Sequence, residues 1–228
     1  MFVALSGLPR TGSTLLSAIL SQNPDVHAEG NSAVCQLMWD MQVSCEGNAS
    51  EQLTANSRQA TQDDLVRAIP AIYYKDVKAQ HIVDKCRSWT LPANMEMLRR
   101  YVTDEPKVIV LTRPVDEIVE SFVRLRKANG WTGDLESDLL IPDSEPIMRS
   151  LNGVKHAQEN NNGEFLFIEY ADLVSDTQGV VDRVYEFCGW EPFEHYFSGI
   201  VNNFQEDDSV YGLMGQHEIR SDIGLRIN

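Results

Sequence analysis

The sequence predicts an α/β fold in which a parallel sheet carries helices on both faces. Three observations support this. Short apolar runs recur at Phe2–Ser6, His81–Asp84, Lys107–Thr112 and Phe165–Glu169, each of strand rather than helix length. Between them lie stretches whose apolar residues fall at helical spacing. Strands and helices alternate along the chain, the order that winds a parallel sheet. With 228 residues, 43% hydrophobic and 23% charged, the chain suits one globular domain over residues 1–228 with a sizeable core. No internal repeat, low-complexity tract, linker or membrane span is legible.

Phe2 to Ser6 forms the first strand and ends in a Gly-Leu-Pro turn. Ser13 to Gln22 then places Leu15, Leu16, Ile19 and Leu20 on one helical face, and Pro24 stops it. A second helix is expected over Ser32 to Val43, a polar loop from Glu46 to Gln59, and a third helix from Gln62 to Tyr74 capped by Thr61. After the brief strand His81–Asp84, a helix runs from Thr90 to Tyr101 with a threonine cap and an early proline. Proline is tolerated there because the first turn has no intrahelical use for its missing N–H. Lys107 to Thr112 is a strongly apolar strand, and Pro114 to Lys127 the helix after it. Residues 128–142, with Asn-Gly, Thr-Gly and several acids, read as an irregular excursion suited to a lid or acceptor loop. A helix from Ser144 to Glu159, the strand Phe165–Glu169 and a helix from Thr177 to Cys188 complete the regular part.

The formal charge is -15, from 34 acidic and 19 basic residues. That balance opposes broad attraction to nucleic acid or anionic lipid, so any anion must be bound locally. Cys35, Cys45, Cys86 and Cys188 show no metal-ligand spacing and no C-x-x-C pair, which leaves buried free thiols as the expectation. The chain runs from Met1 directly into the first strand, without the pattern of a signal peptide. A cytoplasmic protein is therefore expected, and Asn48-Ala-Ser50 is a chance sequon.

Gly7-x-x-x-x-Gly12-Ser-Thr14 has phosphate-loop spacing, with Ser13 where the usual lysine stands. Glycines in such a loop let backbone N–H groups converge on an anion at a helix N-terminus. Ser13 and Thr14 add hydroxyl donors, and Arg10 supplies a charge. An ordinary capped strand-to-helix turn explains the same residues, but the preceding apolar strand favours phosphate. Further on, Arg113 closes a strand and Ser121 lies about two turns into the next helix, so both can reach one anion over the sheet edge. Pairing of Arg113 with Asp116 or Glu117 is the plain alternative. A nucleotide kinase would need a metal-holding acid after a second apolar strand. Val108–Leu111 runs instead into Thr112 and Arg113, and only Asp84 remains as a weak candidate.

Pro9-Arg-Thr-Gly-Ser-Thr14, Asp84-Lys-Cys-Arg-Ser-Trp89, Val108-Ile-Val-Leu-Thr-Arg113 with Ser121, and Tyr170-Ala-Asp-Leu-Val174 occur in this order. Together they resemble the sulfotransferases that use 3'-phosphoadenosine 5'-phosphosulfate (PAPS), and look most like the tyrosylprotein and bacterial branch. The resemblance spans roughly residues 2–190. It implies a P-loop NTPase-like three-layer α/β/α fold and sulfuryl transfer to a hydroxyl acceptor without a metal. The acceptor would be a small molecule, carbohydrate, lipid or peptide. It also implies that Arg10, Thr11, Gly12, Ser13 and Thr14 bind the 5' end, Arg113 and Ser121 the 3'-phosphate, and Tyr170 the adenosine. Lys85 matches a lysine near the bridging oxygen, and Arg10 and Lys85 are the expected charge stabilisers. Tyr211-Gly-Leu-Met-Gly-Gln-His-Glu-Ile-Arg220 is similar to a tail of bacterial members and is expected to fold back over the nucleotide.

The acceptor hydroxyl needs a base within reach. The tyrosylprotein branch uses a glutamate that ungapped comparison aligns with Asn31. Glu29 is the nearest carboxylate and the preferred base, followed by His27 and His217. Each also has a bland reading as a solvated or satisfied side chain. Arg87 either contacts the acceptor or pairs with an acid. Trp131 either lines an acceptor pocket or anchors its loop. A P-loop nucleotide kinase and a non-catalytic nucleotide-binding module stand as alternative functions.

Overall fold

The computed structural model describes residues 1–219, 221 and 223. Its sheet has five parallel strands: β1 (Phe2–Gly7), β2 (Val26–Asn31), β3 (His81–Lys85), β4 (Val108–Thr112) and β5 (Phe165–Glu169), in spatial order β2-β3-β1-β4-β5. The helices are α1 (Ser13–Leu20), α2 (Val34–Glu46), α3 (Ser50–Ala55), α4 (Thr61–Tyr73), α5 (Pro92–Tyr101), α6 (Val115–Ala128), α7 (Met148–Glu159), α8 (Tyr170–Ser175) and α9 (Thr177–Cys188). Successive side chains of a strand point to opposite faces, and here that alternation divides the interior in two. Ala4, Val108 and Val110 enter a core shared with Met38, Trp89, Leu98, Ile118 and Val154. Val3, Leu5, Ile109 and Leu111 enter the other, with Leu16, Ile19, Val181 and Val184. The α/β expectation with both faces covered is met.

Several local expectations needed revision. Val26–Asn31 is a strand that the sequence reading did not assign, because Val26 and Ala28 are its only buried residues and it sits at the sheet edge. The polar stretch 46–59 contains the short helix Ser50–Ala55, whose residues bury nothing. The helix expected from Thr90 begins at Pro92, after a 3-10 turn over Arg87–Thr90. Thr90 is buried and lies 3.3 Å from Ser6 Oγ rather than capping. Thr61 is the first residue of α4, not its cap. The helix expected from Ser144 starts at Met148.

The excursion 128–142 is fixed to α6 by a buried arginine. Arg126 donates to the Leu135 carbonyl at 2.8 Å and to both carboxylate oxygens of Asp138 at 2.6 and 2.7 Å. Trp131 lies over the same guanidinium at 4.9 Å. The four cysteines are free thiols. No helix among the described residues is long and apolar enough to cross a membrane.

Candidate active site

Parallel strands present all their carboxyl ends on one edge, where α/β proteins bind ligands. Read across the sheet, that edge carries Asn31, Lys85, Gly7, the Thr112–Arg113 junction and the Glu169–Tyr170 junction. A cavity of about 1060 Å³ opens there, lined by Gly7 to Arg10, Gly12 to Thr14, Lys85, Arg113, Ser121, Tyr170 and His217, among others. Its described lining includes five basic side chains, Arg10, Lys85, Arg87, Arg113 and Arg124, against one acidic residue, Glu218. In a chain of charge -15, this is a local reversal of sign.

The loop geometry follows from its glycines. Gly7 has φ 122°, and a Cβ there would stand 2.1 Å from the Leu111 carbonyl oxygen, so only glycine lets β1 turn out beside β4. Gly12 caps α1 in the left-handed region with φ 82°. Arg10 also adopts positive φ, at 60°. Thr11 is buried and its hydroxyl donates to the Leu8 carbonyl at 2.7 Å. Its side chain therefore braces the turn and does not line the cavity. Ser13 and Thr14 open α1 and do line it.

Two polar groups form in the cavity. In the first, Arg10 Nε donates to Ser121 Oγ at 3.1 Å, and its Nη1 donates to the Gln216 carbonyl. Arg113 Nη1 donates to the Arg10 carbonyl at 3.1 Å, Arg113 Nε bonds Glu117 at 2.9 Å, and the guanidinium lies 4.4 Å from the Tyr170 ring. Burial, then the neighbouring Arg113 cation, holds the Arg10 guanidinium below its ordinary pKa. Two guanidiniums at close quarters call for an anion between them. In this structure Arg10, expected at the 5' end, reaches toward the group expected at the 3' end.

In the second, Lys85 Nζ lies 3.1 Å from Glu206 Oε2 and 3.4 Å from Thr14 Oγ1. A shift of register between Ala28 and Asn31 sets Asn31 opposite Lys85. The Asn31 backbone N–H and side-chain amide donate to Glu206 Oε1 at 3.0 and 2.8 Å. His217 Nδ1 meets Asp208 Oδ1 at 2.5 Å, and His217 Nε2 lies 3.2 Å from Asn31 Nδ2. The tail thus folds back over the cavity with Gln216 and His217 on its wall. Arg220, the end of the tail segment noted in the sequence, lies outside the described residues.

Glu29 is not brought to this cavity. It lies 3.3 Å from His27 on the same face of β2, and lines a separate recess of about 360 Å³. Asn31, aligned with the family base, carries an amide. Among the base candidates only His217 lines the large cavity. Arg87 lines it too, 3.9 Å from Glu145, whereas Trp131 packs on Arg126 outside it. Glu206 and Asp208 were missed by sequence reasoning. They stand in an acidic run, Glu206-Asp-Asp208, that looks like solvated loop until the tail's return is known. Beneath Lys85, Asp84 is fully buried and accepts from Ser32 at 2.6 Å, Tyr74 at 2.8 Å and Trp89 at 2.6 Å. Burial pushes its carboxyl above the ordinary range, against those three donors. Among the described residues no group of three or more His, Cys, Asp or Glu is placed to hold a metal ion.

The class so defined is a parallel α/β protein with a cationic cavity built around a glycine-rich loop. The chain belongs to the sulfotransferase family, whose model matches residues 3–195. The fold is also similar to the sulfotransferase domain of the olefin synthase from Synechococcus PCC 7002, with TM-score 0.59 and 23% identity over 85% of this chain and 75% of that one. The sulfotransferase domain from the curacin biosynthetic pathway matches with TM-score 0.55 and 21% identity over the same shares. A sulfotransferase from Alicyclobacillus acidocaldarius matches with TM-score 0.55 and 14% identity, over 92% of this chain and 87% of that one. A comparison with curated proteins returned no significant match.

Proposed function

We propose that the protein transfers a sulfuryl group from PAPS to a hydroxyl acceptor by in-line displacement. The observation that carries this reading is the pairing of a phosphate loop with a second cationic group, Arg10, Arg113 and Ser121, in one cavity of otherwise acidic protein. A donor with phosphate-type anions at both ends of an adenosine needs two such groups, while ATP with Mg2+ needs a carboxylate for the metal. The loop N–H groups, Ser13 and Thr14 hold the 5' end. Arg113, Ser121 and the Tyr170 ring hold the 3'-phosphate and the adenosine, and Arg10 reaches across to them.

Sulfuryl transfer, like phosphoryl transfer, asks the protein mainly for alignment and charge stabilisation. The acceptor oxygen bonds to sulfur as the bond from sulfur to the 5'-phosphate oxygen breaks. That oxygen keeps the electron pair, giving 3',5'-adenosine bisphosphate, and Lys85 stabilises the charge, while Arg10, bonded to Ser121, serves the 3' end. The acceptor proton passes to His217 Nε2. With the Nδ1 proton directed at Asp208, Nε2 is the acceptor nitrogen of that imidazole; in this structure it faces the Asn31 amide at 3.2 Å, a contact the acceptor hydroxyl would take over. His217 thereby replaces Glu29 as the base.

The test compares ligands and variants. 3',5'-Adenosine bisphosphate should raise the melting temperature far more than ATP with Mg2+; the reverse order would favour the nucleotide-kinase alternative. Transfer of labelled sulfate to a panel of hydroxyl acceptors should be lost in Lys85→Ala and in Arg10→Ala. His217→Ala should lower kcat about 10²- to 10⁴-fold. Nucleotide binding with no transfer to any acceptor would leave a non-catalytic binding module.

A further inference from the structure

Glu206 is the best-anchored carboxylate beside the cavity, and no step of the transfer uses it. Its Oε1 accepts from the Asn31 backbone N–H, the Asn31 amide and the Tyr211 hydroxyl at 3.0, 2.8 and 3.1 Å. Its Oε2 faces Lys85 Nζ at 3.1 Å and His217 Nε2 at 3.6 Å. One oxygen is fixed by three donors and the other is presented to the lysine. The approach depends on Gly30, where a Cβ would stand 2.4 Å from Glu206 Cγ and 2.7 Å from its Oε2.

We propose that Glu206 is a positioning residue for the transfer site: its anchored carboxylate holds Lys85 as a cation aimed at Thr14 and the phosphate loop. This rests on the reading above, in which Lys85 meets the transferred group. Lys85 is only 4% exposed, and burial alone drives an ammonium toward its neutral form. Its environment bears this out, since burial lowers its pKa and the Glu206 carboxylate works against that. The other charges facing it are Asp208, which helps, and Arg87, which opposes. Asp84, next in the strand, points to the opposite face of the sheet among Ser32, Tyr74 and Trp89. Glu206 itself stays ionised. Burial would raise its pKa, but Lys85 and the Asn31 N–H outweigh that and hold it below the ordinary range. A carboxylate so held is a poor proton acceptor and a good fixed charge. Lys85 has three donors; the contacts to Glu206 and Thr14 orient it toward the cavity.

The experiment follows Lys85 directly. The 13Cε signal of Lys85 in labelled protein, assigned through Lys85→Arg, is titrated in wild type, Glu206→Gln and Glu206→Asp, and binding of 3',5'-adenosine bisphosphate is measured across the same pH range. Glu206→Gln should move the Lys85 titration to lower pH and weaken binding increasingly toward alkaline pH, by about tenfold or more at the alkaline end. Glu206→Asp, which keeps the charge, should restore part of both. Gly30→Ala, which displaces the carboxylate without altering it, should follow Glu206→Gln. An unmoved Lys85 titration in Glu206→Gln, or tighter binding at every pH, would overturn the proposal. Failure of the wild type to bind the bisphosphate would instead bring down the functional reading beneath it.

Discussion

Replacing Arg113 with lysine isolates the 3'-phosphate assignment, because lysine keeps the charge but loses the planar fork and the ring contact. Bonds to Glu117 and to the Arg10 carbonyl occupy two of the arginine's five N–H donors. One charge-assisted hydrogen bond to a phosphate is worth about 1.5–3 kcal/mol, and the contact with Tyr170 about 0.5–1 kcal/mol. The Arg113 side chain is 14% exposed, so solvent screens little of this. The ring contact bears on any adenosine ligand, whereas the hydrogen bond bears only on one with a 3'-phosphate. Calorimetric titration of wild type and Arg113→Lys with 3',5'-adenosine bisphosphate and with adenosine 5'-phosphate separates the two. The monophosphate should lose roughly two- to fivefold in affinity and the bisphosphate a further factor of up to about 150, the upper figure being the whole hydrogen bond. Equal losses for the two ligands would refute the placement of the 3'-phosphate at Arg113.

Gly7→Ala should destabilise the fold by about 4 kcal/mol or more, or prevent folding, since the new Cβ meets the Leu111 backbone at 2.1 Å; a melting temperature within a few degrees of wild type would contradict this. Asp84→Ala should cost about 3 kcal/mol by stranding Tyr74 and Trp89 donors. Asp84→Asn should cost under about 1.5 kcal/mol, because the hydroxyls of Ser32 and Tyr74 can turn to accept from the amide; denaturant midpoints decide whether the two differ. The Arg99 guanidinium, bonded to Glu164 at 2.9 and 2.5 Å, holds the Glu164 carboxyl below its ordinary pKa. Its contribution to stability is therefore present above the unfolded value of about 4.3 and lost as pH falls through the depressed folded value. The gap in stability between wild type and Glu164→Gln should be constant above about pH 6 and close toward pH 3; a gap that widens with acid would show the sign to be wrong.

Much of the site is legible because the loop and the strand ends are local. Gly7, Gly12, Ser13 and Thr14 act through backbone conformation within one turn, and Lys85 and Arg113 sit at the ends of apolar runs. The sequence could not reveal that Thr11 turns inward to Leu8, which depends on the loop's own curvature. Nor could it reveal strand β2, whose Val-His-Ala-Glu-Gly-Asn run has too few apolar residues to stand out from loop.

Local residue order alone determined the parallel α/β sheet and its glycine-rich loop, because strand length, helical spacing and glycine placement act between near neighbours. The tertiary structure decided which side chains share the cavity. Arg10 meets Ser121 across 111 residues, and Lys85 meets Glu206 across 121. Glu29 turns to His27 in a separate recess, while His217 arrives from the tail on the cavity wall. No spacing along the chain encodes such meetings, since they are set by how the tail packs across the carboxyl edge of the sheet.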